Sequence, residues 1–149
     1  MSKANFTTAL EAEAAFYQAL ADGNFDALMA VWSEEEEVVC VHPGGPRIVG
    51  LAAVRETWRQ LLAEGSRIKI DVSQAVGRAS AMMAMHCVFE RVAAEGQLQR
   101  GPTLAATNVY VRGPNGWRMV LHHASPVPEH ASPVPEHADF GELSPRVVH

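Results

Sequence analysis

The chain has 149 residues, 48% hydrophobic and 19% charged, with a formal net charge of −5 and a mean hydropathy of −0.04. That length supports one domain with a real core, and its 12 basic residues are scattered where a nucleic-acid footprint needs a stripe of Lys and Arg. No apolar run reaches the roughly 20 residues of a membrane span, and Met1-Ser2-Lys3-Ala4-Asn5 lacks the apolar centre of a signal peptide, so a cytoplasmic protein without nucleic-acid or membrane partners is expected.

Residues 1–7 read as a lead. Thr8-Ala9-Leu10-Glu11 fits a capping box, and the first helix then draws its apolar face from Leu10, Ala14, Phe16, Tyr17 and Leu20, leaving Glu11, Gln18 and Asp22 outside. Asp22-Gly23-Asn24 stops it, and a second short helix carries Phe25, Leu28, Met29 and Trp32 at i, i+3, i+4 and i+7. The charge run Glu34-Glu35-Glu36-Glu37 is a solvated lead-in to a strand, since adjacent strand side chains point to opposite faces. Val38-Val39-Cys40-Val41-His42 is that strand, ended by a Pro43-Gly44-Gly45-Pro46 turn. A third amphipathic helix follows Gly50, with Val54, Trp58, Leu61 and Leu62 on its apolar side.

The period then changes from helix to strand. Ile68-Lys69-Ile70-Asp71-Val72 alternates as a half-exposed strand. Residues 79–91 and 103–112 are long apolar strand candidates, and Gly113-Pro114-Asn115-Gly116 turns the chain into a last strand from Trp117 to Ala124. Helices followed by a meander of long strands predict an α+β layer fold, with three helices packed on a strongly curved antiparallel sheet that forms a cone-shaped half-barrel around a pocket. Trp32, Trp58, Met82, Met83, Met85 and Phe89 are core candidates, some of which could line an apolar, adaptable pocket. Cys40 and Cys87, without CxxC spacing, read as buried free thiols. Beyond the domain at 8–125, residues 126–149 form a Pro-rich tail in which Ala-Ser-Pro-Val-Pro-Glu-His occurs twice, at 124–130 and 131–137. Its prolines favour an extended, poorly ordered segment; an arm across a partner subunit is the alternative.

The order and spacing of Ala21-Asp22-Gly23-Asn24-Phe25-Asp26-Ala27-Leu28, Val41-His42-Pro43-Gly44-Gly45, Val49-Gly50, Trp58 and Gly116-Trp117-Arg118-Met119-Val120-Leu121-His122-His123-Ala124-Ser125 resemble the SnoaL-like branch of the nuclear transport factor 2-like superfamily. That group has a cystatin-like fold and includes ketosteroid isomerases, polyketide cyclases and the association domain of a calmodulin-dependent kinase. The resemblance implies a homodimer paired through the sheet. In the isomerases of that superfamily, an Asp before the Pro of the first strand is the general base, while a helix Tyr and a late Asp, kept neutral by burial, donate to the enolate. Those positions fall on His42, near Phe16 (one residue before Tyr17) and on Asn108, so all three depart from the isomerase set.

His42 can accept or donate a proton near neutral pH, and Asn108 can offer an amide N–H to a carbonyl or oxyanion. The plainer alternative is that His42 bonds to its turn and closes the strand. Phe16, Tyr17, Trp32, Trp58, Tyr110, His122 and His123 are the ligand-contact candidates, with Arg47 at the mouth as an anion contact. His122 and His123 are neighbours on a strand and face opposite sides, and common zinc spacings are absent; no metal or cofactor is expected. Three functions stay open: an isomerase-, cyclase- or hydratase-like enzyme acting by proton transfer at His42 on a small apolar carbonyl compound, a non-catalytic ligand-binding module, and an association domain.

Overall fold

The computed structural model describes residues 4–93 and 101–128. Helix α1, Ala9–Asp22, starts at Thr8, whose side chain accepts from the Glu11 N–H, and the Glu11 carboxylate accepts from the backbone N–H and hydroxyl of Thr7. These bonds satisfy donors that a helix start leaves orphaned and hold the Glu11 carboxyl below its ordinary range. Gly23 ends α1 at φ 65°, where a Cβ would stand 2.6 Å from the Ser66 carbonyl; only glycine meets both demands. Asn24 caps α2, Phe25–Val31, through the Ala27 N–H. The third helix, α3, Leu51–Leu61, follows Gly50 without a side-chain cap.

Six strands complete the chain: β1 Val39–Val41, β2 Arg47–Val49, β3 Lys69–Ala79, β4 Met83–Ala93, β5 Thr103–Gly113 and β6 Gly116–Pro126. They form one sheet in the order β2-β1-β6-β5-β4-β3. Every pairing is antiparallel except β1 with β6, which sets Cys40 beside His122. Register shifts between Ser73 and Val76 and between Val109 and Tyr110 bend the sheet, with Gln74 in the left-handed region at φ 50°. The sheet stays open, and the helices cover its concave face.

The α+β architecture agrees with the fold read from the sequence, and the differences are local. β2 adds a strand where none was assigned, because Arg47, Ile48 and Val49 pair back onto β1 across the expected Pro43–Pro46 turn. β3 runs on to Ala79, past the expected end at Val72. β6 continues to Pro126, and the Val127 N–H bonds to the Thr103 carbonyl, so the sheet reaches just into the predicted tail; the second heptad lies outside the described residues.

The core is one cluster in which Phe16, Leu20, Leu28, Val31, Trp32, Val38, Cys40, Val54, Tyr110 and Met119 are almost fully buried. Each large apolar side chain there contributes about 1.5–3 kcal/mol of burial. Three expectations about the core are corrected. Leu10 is 69% exposed, because the buried stripe of α1 runs through Ala9, Ala12, Glu13, Phe16, Ala19 and Leu20. Met83 and Met85 lie on the outer face of β4, in alternation with buried Ala84, His86, Val88 and Glu90, and Met82 sits exposed in the turn before them. Cys40 is buried but Cys87, on that same outer face, is exposed.

Candidate functional site

Period-two alternation sends Ala84, His86, Val88 and Glu90 of β4, and Leu104, Ala106, Asn108 and Tyr110 of β5, to the concave face. Register then sets His86 beside Asn108 and Asn108 beside His122. A row of polar side chains therefore crosses the middle of three strands. Above it lies α1, whose Glu13, Phe16 and Tyr17 follow at i, i+3 and i+4 and so descend from one helix face.

These groups bond to one another throughout. The Glu13 carboxylate accepts at Oε2 from His86 Nδ1 at 2.9 Å, from the Tyr110 hydroxyl at 2.9 Å and from Asn108 Nδ2 at 3.3 Å. The same Asn108 amide donates to the Tyr17 oxygen at 2.8 Å, and Tyr17 donates its own proton to Glu90 Oε2 at 2.5 Å. His122 donates from Nδ1 to Asn108 Oδ1 at 2.7 Å. Every bond here is buried or partly buried, where such contacts are electrostatically strong.

Beside this network is a cavity of about 250 Å³. Its walls are apolar, supplied by Leu20 of α1, Trp58 and Leu61 of α3, Ile68 just before β3, Ile70 within it, and Leu104 of β5. Three polar side chains reach it: His42, Glu90 and His122. Thr57 donates to the Val54 carbonyl at 2.8 Å, so its oxygen accepts from His42 Nε2–H at 3.1 Å, leaving Nδ1 as the basic nitrogen. The ring of His42 also meets Trp58 edge to face, with centroids 4.6 Å apart.

Burial dominates the electrostatics. It lowers the pKa of His42 and, helped by the nearby His42 and His123, holds fully buried His122 at about 3, so both imidazoles are neutral at pH 7. Burial raises the Glu90 carboxyl, with the charge of Glu13 adding to the rise and the Tyr17 hydrogen bond opposing it. The Tyr17 and Tyr110 phenols are pushed far above their ordinary value, first by burial and then by the carboxylates. Cys40, 3.7 Å from His42 Nε2, is pushed up to about 12 by burial, so its thiol is no nucleophile at neutral pH.

Of the residues singled out from sequence, His42, Trp58 and His122 line the cavity. Tyr17 and Asn108 stand behind it and bond to the groups that line it. Phe16 packs edge to face on Tyr17 and Trp58 and tilted on His122, which makes it their support. Tyr110 belongs to the Glu13 end of the network. Trp32 lies in the core, bridged to Met119, away from the cavity lining. Arg47 is exposed on β2 and His123 faces outward, both outside the lining. Among the described residues no group of three or more His, Cys, Asp or Glu is arranged to hold a metal ion.

Glu90 and Glu13 were not foreseen. The signal was present, since Glu90 stays in phase with Ala84 and Val88 on a strand, and Glu13 falls four residues after Ala9 and three before Phe16. A carboxylate in phase with buried positions must have partners.

A family model described as a SnoaL-like domain matches residues 10–129. A protein from Thiobacillus denitrificans, described as a candidate calcium/calmodulin-dependent protein kinase type II association domain, is 38% identical; the match covers 84% of this chain and 99% of that one, with a TM-score of 0.76. A candidate dehydratase of the NTF2-like family from Streptomyces avermitilis is 30% identical over 78% of this chain and 91% of its own, with a TM-score of 0.71. A Nostoc punctiforme protein of cystatin-like fold, 17% identical, shares the fold at a TM-score of 0.68 over 83% of this chain and 96% of its own. No curated protein matches the chain.

Proposed function

The chain belongs to the SnoaL-like domain family, and from that premise we propose that it is a proton-transfer enzyme for a small, uncharged, mainly apolar molecule bearing a carbonyl or hydroxyl oxygen. The observation that carries this reading is Glu90, a carboxyl 2% exposed on the wall of an apolar cavity and held by the Tyr17 hydroxyl. A general base works best with a pKa near the operating pH. Burial raises the Glu90 carboxyl above its ordinary value, whereas it lowers the His42 and His122 imidazoles below theirs. The proton-transfer role expected at His42 therefore passes to Glu90, whose Oε1 carries no protein hydrogen bond among the described residues.

In this reading Glu90 removes a proton from the carbon beside the substrate carbonyl and returns it either to another carbon of the enolate, an isomerisation, or to a hydroxyl group whose C–O bond breaks and which leaves as water, a dehydration. Tyr17 holds the carboxylate in place, and the neutral rings of His42 and His122 flank the substrate. The cavity is below the usual 300–1,000 Å³ of drug-sized sites, which favours a ligand with one ring. A thermal-shift series tests the ligand class: cyclic ketones and phenols raise Tm, while carboxylate or ammonium analogues of the same size do not. Equal stabilisation by the charged analogues would contradict it.

One observation favours a second reading, self-association through the outer face of the sheet. Val76 is 60%, Met82 59% and Met83 52% exposed near one edge, and the Thiobacillus denitrificans relative carries the description of an association domain. A pairing of two copies through this face is compatible with the pocket on the other side. Analytical ultracentrifugation at several concentrations tests it, and a monomer at all of them rules it out.

A further inference from the structure

Glu13 does not line the cavity, yet every polar group that does so, except His42, is tied to it through Asn108. We propose that Glu13 is a positioning residue that sets the direction of the hydrogen bonds in the whole site, and through Asn108 selects the tautomer of His122. The inference deepens the proton-transfer reading above and rests on it only for its catalytic meaning.

An ionised carboxylate only accepts, whereas an Asn side chain has one accepting end and one donating end. Glu13 Oε2 faces Asn108 at 3.3 Å and so takes the amide Nδ2. That leaves Oδ1 on the opposite side, 2.7 Å from His122 Nδ1, which must therefore carry the proton. The remaining nitrogen of His122, Nε2, is then an acceptor, on a ring that lines the cavity. On the other branch, Nδ2 donates to the Tyr17 oxygen at 2.8 Å, and the Tyr17 proton turns to Glu90 Oε2. One buried carboxylate thus fixes two readouts at once: a lone pair on His122 for a hydroxyl proton of the ligand, and a donor on Tyr17 aimed at Glu90. His86 Nδ1 and the Tyr110 hydroxyl, both donating to the same Oε2, hold Glu13 in this orientation. Were the Asn108 amide reversed, His122 would present an N–H to the cavity and Tyr17 would donate to Asn108, leaving Glu90 without its partner.

Long-range ¹H–¹⁵N correlation spectra of the ligand-free, ¹⁵N-labelled protein at pH 7 read the tautomer directly, without any turnover assay. The native chain is expected to show His122 with a protonated Nδ1 and an unprotonated Nε2 as a single species. Glu13→Gln keeps the shape but adds a donating end, and Glu13→Met removes the polar atoms. In either folded variant, loss of the single Nδ1–H pattern for His122 supports the proposal. An Nε2–H tautomer in the native chain, or an unchanged pattern in a folded variant, overturns it. Failure of both variants to fold makes Glu13 a purely structural residue and overturns it too. Because the spectra are recorded without substrate, a wrong reaction class would leave this result standing, and a wrong tautomer would leave the reaction class untouched.

Discussion

Tyr17 and Glu90, 73 positions apart in sequence, meet at 2.5 Å between the phenol oxygen and carboxylate Oε2. The contact joins α1 to β4 over the concave face, and it links the stability of the fold to the state of the site. Removing the donor leaves a buried carboxylate without its partner. Tyr17→Phe is therefore expected to raise the Glu90 pKa further and to cost about 1–3 kcal/mol, more above that pKa than below it. A ¹³C titration of the Glu90 carboxyl and urea unfolding at two pH values measure both effects. A pKa unchanged in the variant would refute the role assigned to the hydrogen bond.

Acid stability separates His122 from Glu90 by sign. The folded pKa of His122, about 3, lies below the ordinary 6.5, so the unfolded chain binds the extra proton first and stability falls as pH drops from about 6.5 toward 3. Glu90 runs the other way: its folded pKa is raised above 4.5, so its contribution is fully present below 4.5 and is lost as pH rises through the raised value. His122→Leu is expected to flatten the acid loss, and Glu90→Gln to steepen it, in urea midpoints taken between pH 7 and pH 4. The same slope in both variants would contradict the assignment.

Trp58 and Phe16 touch, with centroids 5.7 Å apart, yet they should respond differently. The Trp58 indole N–H is buried without a partner among the described residues, so Trp58→Phe discards a donor unsatisfied there and keeps an aromatic wall; a loss below about 1.5 kcal/mol is expected. Phe16→Ala opens a hole at the centre of the core and should cost about 3–5 kcal/mol. Chemical denaturation compares them, and equal losses would mean that the two rings share one packing role.

If the outer face pairs two copies, Met83→Lys and Met85→Lys, at residues 52% and 37% exposed, should lower the sedimentation coefficient toward that of a monomer while leaving Tm shifts by pocket ligands intact. Loss of ligand shifts together with assembly would show that the site needs the second copy.

Much of this was legible in the sequence. The α1 cap, the breaks at Gly23 and Gly116 and the presence of long strands after the helices follow from local rules; the alternation that turns Asn108 and His122 to the concave face, and Met83 and Met85 away from it, shows only in the sheet. Glu13 and Glu90 each keep the phase of their buried neighbours, but the partners that make a buried carboxylate stable come from distant segments. What the sequence could not display was the pairing of α1 with β4, a contact between distant segments that exists only once the sheet has curved beneath the helix. β2 was hidden for a related reason: three residues become a strand only by pairing with β1.

The central claim is that Glu90 moves protons in the cavity, and hydrogen–deuterium exchange tests it most directly. Small cyclic ketones and enones that raise the Tm are incubated with the protein in D₂O, and deuterium at the carbon beside the carbonyl is followed by ¹H NMR. The native chain should exchange it above the buffer rate, and Glu90→Gln should lose about 10²–10⁴-fold of that acceleration while still binding the ketone. Binding without exchange in the native chain, or equal exchange in Glu90→Gln, would contradict the account and leave a ligand-binding pocket in place of an active site.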